Sequence, residues 1–277
     1  METLRQELLS RTPLQSDEPS HLRELIEARD LLFIWVRREF RVRYSQSVMG
    51  AAWAVLQPLA LMAIFSLVFG FVLRVPTEGV PYPVFSYVGS LAWTFFAGAL
   101  TFAIPSLVNN MSLVSKIYFP REILPLSAVL VCLVDFVIAA VLLIPLMLLS
   151  GVELRWTIAL LPLIVIIQVL LSYGLSLIGS AVNVFFRDVR FVIPLALQIW
   201  LYASPVIYPV SAVPESLRTV YFLNPMSVLI DSYRRVILFG QLPDWGWLGF
   251  TAIVSIAVLI LGYGFFKRAE SRFADLI

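Results

Sequence analysis

Leu126 to Leu149 reads LSAVLVCLVDFVIAAVLLIPLMLL, with Asp135 as its one charged residue. A helix needs about 17–25 predominantly apolar residues, rising 1.5 Å each, to cross a hydrocarbon layer. This run has that length and is apolar on every side, so it has no polar face to turn to water. It predicts a membrane-spanning helix, with Pro145 inside it.

Runs of the same kind lie on both sides. Upstream, Gly50–Leu73 with Pro58 and Val84–Ile104 are separated by a polar turn holding Arg74, Pro76, Glu78, Gly79 and Pro81. Downstream, Gly151, Glu153 and Arg155 mark a tight loop, and Trp156 stands at the boundary depth that indoles favour. The next run, Thr157–Val182, carries Gln168 and Tyr173 along with Ser172, Gly174, Ser176, Gly179 and Ser180, and small residues such as these last five let helix backbones approach closely. A fifth run, Phe191–Tyr208, meets Pro205 and Pro209, so a short or bent span is expected there. The last, Trp247–Phe266, stops before Lys267, Arg268 and Arg272.

Composition agrees. Of 277 residues, 60% are hydrophobic and 14% charged, against roughly 45–50% and 25% in soluble domains. The expected fold is an all-α integral membrane protein with six transmembrane helices. Residues 1–21, polar with Pro13 and Pro19, read as a flexible cytoplasmic tail and not as a secretory leader. In 22–44, Leu22, Leu25, Ile26, Leu32, Phe33, Val36 and Phe40 follow helical spacing and arginines crowd the end, which predicts an interfacial amphipathic helix. Residues 210–246 mix apolar and charged positions around Pro214 and Asn224–Pro225, and are expected to form re-entrant helices before the last span.

Positive charge sets the orientation. With both termini cytoplasmic, Arg37, Arg38, Arg41, Arg43, Lys116, Arg121, Arg187, Arg190, Lys267, Arg268 and Arg272 lie inside. Outside are Arg74, Arg155, Arg218, Arg234 and Arg235, and the last three are the blemish on the rule.

Several chemistries are excluded. No glycine is followed by lysine, so the chain has no phosphate-binding loop for ATP. His21 is the only histidine and Cys132 the only cysteine, which leaves no material for a His- or Cys-based metal centre or a disulfide within one chain. Nucleic-acid binding lacks a basic stripe in a polar context. Asp135, the acidic residue deep in a span, is expensive there unless it is protonated, paired with a basic group, hydrogen-bonded within the bundle, or used to bind a substrate or ion.

Between the second and third spans stands Asn110, Leu113, Val114, Lys116, Ile117, Tyr118, then Phe-Pro-Arg-Glu-Ile-Leu-Pro at 119–125. This run resembles the corresponding loop of polysaccharide-exporting ABC permeases of the ABC-2 type. Arg41, Arg43, Tyr44, Gly50, Trp53 and Pro58 resemble that family's entry into its first span, and Asn183–Val189 its second cytoplasmic loop. Ser204-Pro205-Val206-Ile207-Tyr208-Pro209 and Asn224-Pro225 resemble the end of its fifth span and its broken outer helices.

The resemblance implies a bacterial inner-membrane half-transporter that pairs with a second copy of itself and with two nucleotide-binding ATPase subunits. ATP and Mg would then sit on the partner, with no cofactor and no catalytic site in this chain. The cargo it implies is lipid-linked polysaccharide such as O-antigen, moved outward; a small-drug or lipid exporter of the same architecture is the alternative, and an embedded enzyme or a scaffold more distant ones. Segment 106–122 would couple to the ATPase through Lys116, Tyr118, Phe119, Pro120, Arg121 and Glu122, with Arg187 and Asp188 near a second contact. Tyr87, Trp93, Phe95, Phe96, Tyr173, Trp200 and Tyr202 are candidates for a sugar-lined path. Arg37, Arg38, Arg41, Arg43, Arg218, Arg234 and Arg235 are candidates for the lipid head, with the last three equally able to pair with Glu215 and Asp231.

Overall fold

The computed structural model describes residues 29–45, 47–114 and 119–273, and every regular element among them is helical. Helix α1 is Arg29–Tyr44. The first long segment, Gly50–Val72, joins a 3-10 turn, α2 at Trp53–Phe65 and a π turn at Ser66–Val72. Then come α3 at Tyr82–Ala103, two short helices, α4 at Ser106–Asn109 and α5 at Met111–Val114, and α6 at Ile123–Leu149. Helix α7, Leu161–Phe185, follows a 3-10 turn at Trp156–Leu160. The chain finishes with α8 at Val189–Tyr202, α9 at Glu215–Phe222, α10 at Pro225–Arg234 running into a π turn, and α11 at Trp245–Phe273.

Five segments are long and apolar enough to cross a membrane: 50–72, 82–103, 123–149, 156–185 and 245–273. They agree with five of the expected runs, though α11 continues well past Phe266 and carries Lys267 and Glu270 on its last turns. The fifth run is different. Its helix ends at Tyr202, and 14 residues span only about 21 Å. The following turns contain Pro205 and Pro209, and only a 3-10 turn at Val210–Ala212 intervenes before α9.

Helix α3 is the central post. Its most apolar stretch is 78% buried against 11% for that of segment 50–72, so the other helices assemble around α3 while the first segment stays at the periphery. α3 and α6 run antiparallel: Tyr87 donates its hydroxyl proton to the Ala139 carbonyl at 2.8 Å, and the Phe95 and Phe136 rings meet at 5.6 Å, nearer the other end of α3. α7 and α11 run parallel. Gly174 faces Gly262 at mid-helix, and Phe185 packs on Phe273 at 5.9 Å toward the ends. Two consecutive parallel helices require the chain between them to return to its starting side, and residues 186–244 make that return.

The α7–α11 crossing explains the small residues. A Cβ on Gly262 would lie 2.5 Å from the Gly174 carbonyl oxygen, and one on Gly174 would lie 2.7 Å from the Leu259 nitrogen. In hydrocarbon, helices gain little from hiding apolar surface, and close packing with interhelical hydrogen bonds supplies the association. Gln168 illustrates the second term. Fully buried, it donates to the Ala92 carbonyl at 2.7 Å and accepts from the Tyr233 hydroxyl at 2.8 Å, tying α7 to α3 and α10.

Two apolar cores result. The larger surrounds α3. The smaller gathers Trp35, Leu107, Val114, Ile123, Leu177, Phe266 and Phe273, and so joins α1, α4, α5 and the ends of α6, α7 and α11. The end of the bundle holding this smaller core is called the lower end below.

Candidate functional site

The lower end carries the segment expected to meet a partner ATPase. Lys116 and Tyr118 lie outside the described residues. Phe119 stacks on Trp35 of α1, with ring centroids 6.0 Å apart, and Arg38 of α1 donates to the Asn110 side chain at 3.2 Å. Arg121 donates to the Glu270 carbonyl at 3.0 Å and faces its carboxylate at 3.8 Å. Glu122 is 1% exposed and accepts from Lys267 at 2.9 Å and from the Tyr263 hydroxyl at 3.4 Å. Lys267 also reaches Glu270 at 3.0 Å.

Arg121, Glu122, Lys267 and Glu270 therefore form one alternating network that fastens the start of α6 to the foot of α11. Glu122, buried in this network, has no surface left for another protein, which corrects its expected place as a contact residue: it holds its own segment to α11 instead. Arg187 and Asp188 are exposed on the turn after α7, at the same end, since the preceding Val184 belongs to the smaller core and Phe185 packs against it.

The candidate path residues divide. Tyr87, Trp93, Phe95 and Phe96 are all buried, packing α3 against its neighbours, and Phe96 meets Trp200 edge-on at 5.1 Å. Rings enclosed within one chain have no face for a sugar passing between two copies, so Tyr87, Trp93 and Phe96 act in packing and Phe95 packs on Phe136 beside a pocket at the end of α1, a correction forced by the central position of α3. Tyr173 and Trp200 are half-buried, and the Trp200 indole donates to Asn224 at 2.9 Å. Tyr202, 59% exposed, is the open ring of the seven. It shares one face of α8 with Phe191, Leu195 and Gln198, all exposed at helical spacing.

The arginines divide as well. Arg234 is 2% exposed: it donates to the carbonyls of Pro205, Val206 and Tyr208 and lies over the Phe85 ring at 3.6 Å. The broken chain after α8 leaves those carbonyls without helical partners, and the guanidinium fork satisfies them. Its expected role at a lipid head is corrected to this clamp. Asn224 completes the joint. It caps α10 through the Met226 amide at 3.0 Å and donates to Ser204 at 2.9 Å, so the two outer motifs, Ser204–Pro209 and Asn224–Pro225, meet in space. Arg235 pairs with Asp231 at 2.7 Å and Arg218 with Glu215 at 3.6 Å.

On α1, Arg37, Arg38 and Arg41 are exposed. Arg43 turns inward and donates to Asp135 at 2.6 Å, while the Tyr44 hydroxyl donates to the other carboxylate oxygen at 2.8 Å. Asp135 is thus paired with a basic group, one of the states open from sequence. Burial, then the hydrogen bond to Asp135 and its charge, push the Tyr44 hydroxyl up to about 12, so it remains a donor at neutral pH. Among the described residues no cluster of His, Cys, Asp and Glu suits a metal ion.

Residues 30–238 match the ABC-2 type transporter family. The O-antigen export system permease protein RfbA of Myxococcus xanthus is 34% identical over 263 residues, 92% of this chain and 98% of that protein. RfbA of Klebsiella pneumoniae is 29% identical over 250 residues, 90% and 95% of the two chains. The polysialic acid transport protein KpsM of Escherichia coli is 23% identical over 238 residues, 84% and 91%.

Proposed function

The chain belongs to the ABC-2 type transporter family, and from that membership we propose that it is the permease half of an ATP-driven exporter of lipid-linked polysaccharide. The observation that carries the reading is likeness along almost the whole chain to permeases named for O-antigen export. The polysaccharide is of O-antigen or capsular type. It enters from the cytoplasmic side of a bacterial inner membrane and leaves outward between two copies of the chain.

Six crossings follow from the parallel run of α7 and α11, which needs one crossing between them. Helix α8 with the turns to Tyr208 makes it. Six crossings would leave both termini on one side, and the arginine distribution supports the cytoplasm as that side. The lower end then faces two copies of a separate ATPase, which binds ATP and Mg. Phe119, Pro120, Lys116 and Tyr118, with Arg187 and Asp188, form its seat. Arg121 and Glu122 carry the seat's movement into α11.

The exposed stripe Phe191–Leu195–Gln198–Tyr202 supports a path at the interface of the two copies. An amide left bare at membrane depth is costly against lipid, and beside rings it suits a polymer whose sugars have apolar faces and hydroxyl edges. Arg37, Arg38 and Arg41 receive the lipid head at the cytoplasmic entrance; Arg218 and Arg235, each only partly neutralised, face it at the exit.

Reconstitution of the permease with its ATPase in vesicles tests the proposal. Lipid-linked polysaccharide is expected to stimulate ATP turnover and to cross. No stimulation by any glycan, with stimulation by small amphiphiles, would transfer the chain to the drug or lipid exporters.

A further inference from the structure

A pocket of about 290 Å³ opens where the end of α1 meets α2, α3 and α6. Its polar wall is made by the Arg43–Asp135 pair, the Tyr44 hydroxyl, Thr94 and Gln57, and Trp53, Phe95, Phe102 and Phe136 supply rings around them. Gln57 is exposed within the first apolar segment, and its amide has no hydrogen-bond partner among the described residues. Such a group in a spanning helix calls for a polar ligand.

The pocket's depth is fixed by its lining. Trp53 and Gln57 belong to the first turns of α2 and Phe102 to the last turn of α3, so its mouth faces the head-group level of the leaflet nearest the lower end, while Thr94, Asp135, Phe136 and Ala139 carry its inner wall deeper into the span. Trp53 and Phe102 are 52% and 47% exposed, which leaves the pocket open toward the acyl region.

Charge selects the ligand. The Arg43 and Asp135 side chains touch at 2.6 Å and sum to zero. An anion approaching Arg43 meets the carboxylate, and a cation approaching Asp135 meets the guanidinium. A molecule carrying both signs at short separation avoids both penalties. Arg43 also donates to the Cys132 sulfur at 3.6 Å and lies over the Phe102 ring at 3.9 Å, yet its five N–H donors and the roughly four acceptor sites of Asp135 are more than these contacts, their own pair and Tyr44 consume. The surrounding rings favour an ammonium.

We propose that this pocket holds the head group of a zwitterionic aminophospholipid, its phosphate beside Arg43 and its ammonium beside Asp135, with the acyl chains leaving past Trp53 and Phe102. The inference rests on the chain spanning a membrane and not on the identity of the cargo, so lipid binding and polysaccharide export fail independently.

The test uses the full chain, purified in detergent, stripped of lipid and incubated with equal amounts of phosphatidylethanolamine and phosphatidylglycerol before native mass spectrometry. One phosphatidylethanolamine per chain is expected to be retained about tenfold over phosphatidylglycerol, the ratio a charge-assisted hydrogen bond sets. Asp135→Asn and Arg43→Gln should bring the ratio to about one. Because either change also loosens α1, Gln57→Leu serves as a second variant: it leaves the ion pair intact and should still weaken phosphatidylethanolamine retention. Equal retention of the two lipids by the unaltered chain, preference for phosphatidylglycerol, or a ratio indifferent to all three substitutions overturns the proposal.

Discussion

Arg234 is a cation that no carboxylate among the described residues touches, stabilised by three backbone carbonyls and a ring. Lysine keeps the charge but loses the planar fork and the stacking on Phe85. Arg234→Lys is therefore expected to cost about 2 kcal/mol or more of stability, since buried carbonyls go unsatisfied, read as a lower midpoint of thermal unfolding in detergent. Tyr44 supplies a pH prediction. Its hydroxyl moves from 10.0 to about 12, so the folded form prefers the neutral phenol. The stability this contributes is complete below about 10 and is lost as pH rises toward about 12. A difference absorbance titration of the chain against Tyr44→Phe should place this phenolate at the upper value, and one ionising near 10.0 would refute the contact with Asp135.

Helices α7 and α11 depend on the absence of two side chains. Gly262→Val places a Cβ against the Gly174 carbonyl, backbone that cannot step aside, and overpacking of this kind costs about 1–3 kcal/mol. Gly264→Ala, two residues on, meets nothing within 4 Å and should fold as the parent does. Yields of monodisperse protein from the two variants compare the sites directly. The elements also show what sequence discloses. The five long helices were legible because each is a continuous apolar run, and the small residues of α7 announced a close approach without naming α11 as its partner. The shortness of the fifth run was legible too, from Pro205 and Pro209, but what replaces helical hydrogen bonds there is an arginine 29 residues later, beyond the reach of any local pattern. The pairings Arg43–Asp135 and Glu122–Lys267, 92 and 145 residues apart, were invisible for the same reason. The rings of α3 misled: an aromatic placed for burial and one placed for a path have the same letter.

Across the molecule, the network at the lower end joins the proposed ATPase seat to the last helix. Glu122→Gln should leave ATP turnover less responsive to cargo and also lower stability, because Lys267 then shares a largely buried site with Glu270 alone. Exchanging the charges, Glu122→Lys with Lys267→Glu, should recover part of the coupling; failure of every such exchange while stability returns would separate the pair from transmission. The path is tested at the same scale. Gln198→Cys is expected to react with a membrane-impermeant thiol reagent in the assembled transporter, against a background in which Cys132 is buried. Inertness there, with labelling at an outer-loop control, would turn that stripe toward lipid.

The acid at the start of α6 is synthesised 145 residues before the lysine that neutralises it. Until the final helix is inserted, that carboxylate has neither the Lys267 ammonium nor the Tyr263 hydroxyl to accept from, and the start of α6 is not fastened to α11. A polypeptide terminated anywhere short of Lys267 lacks this join at the lower end, and is expected to unfold at a lower temperature in detergent than the full chain.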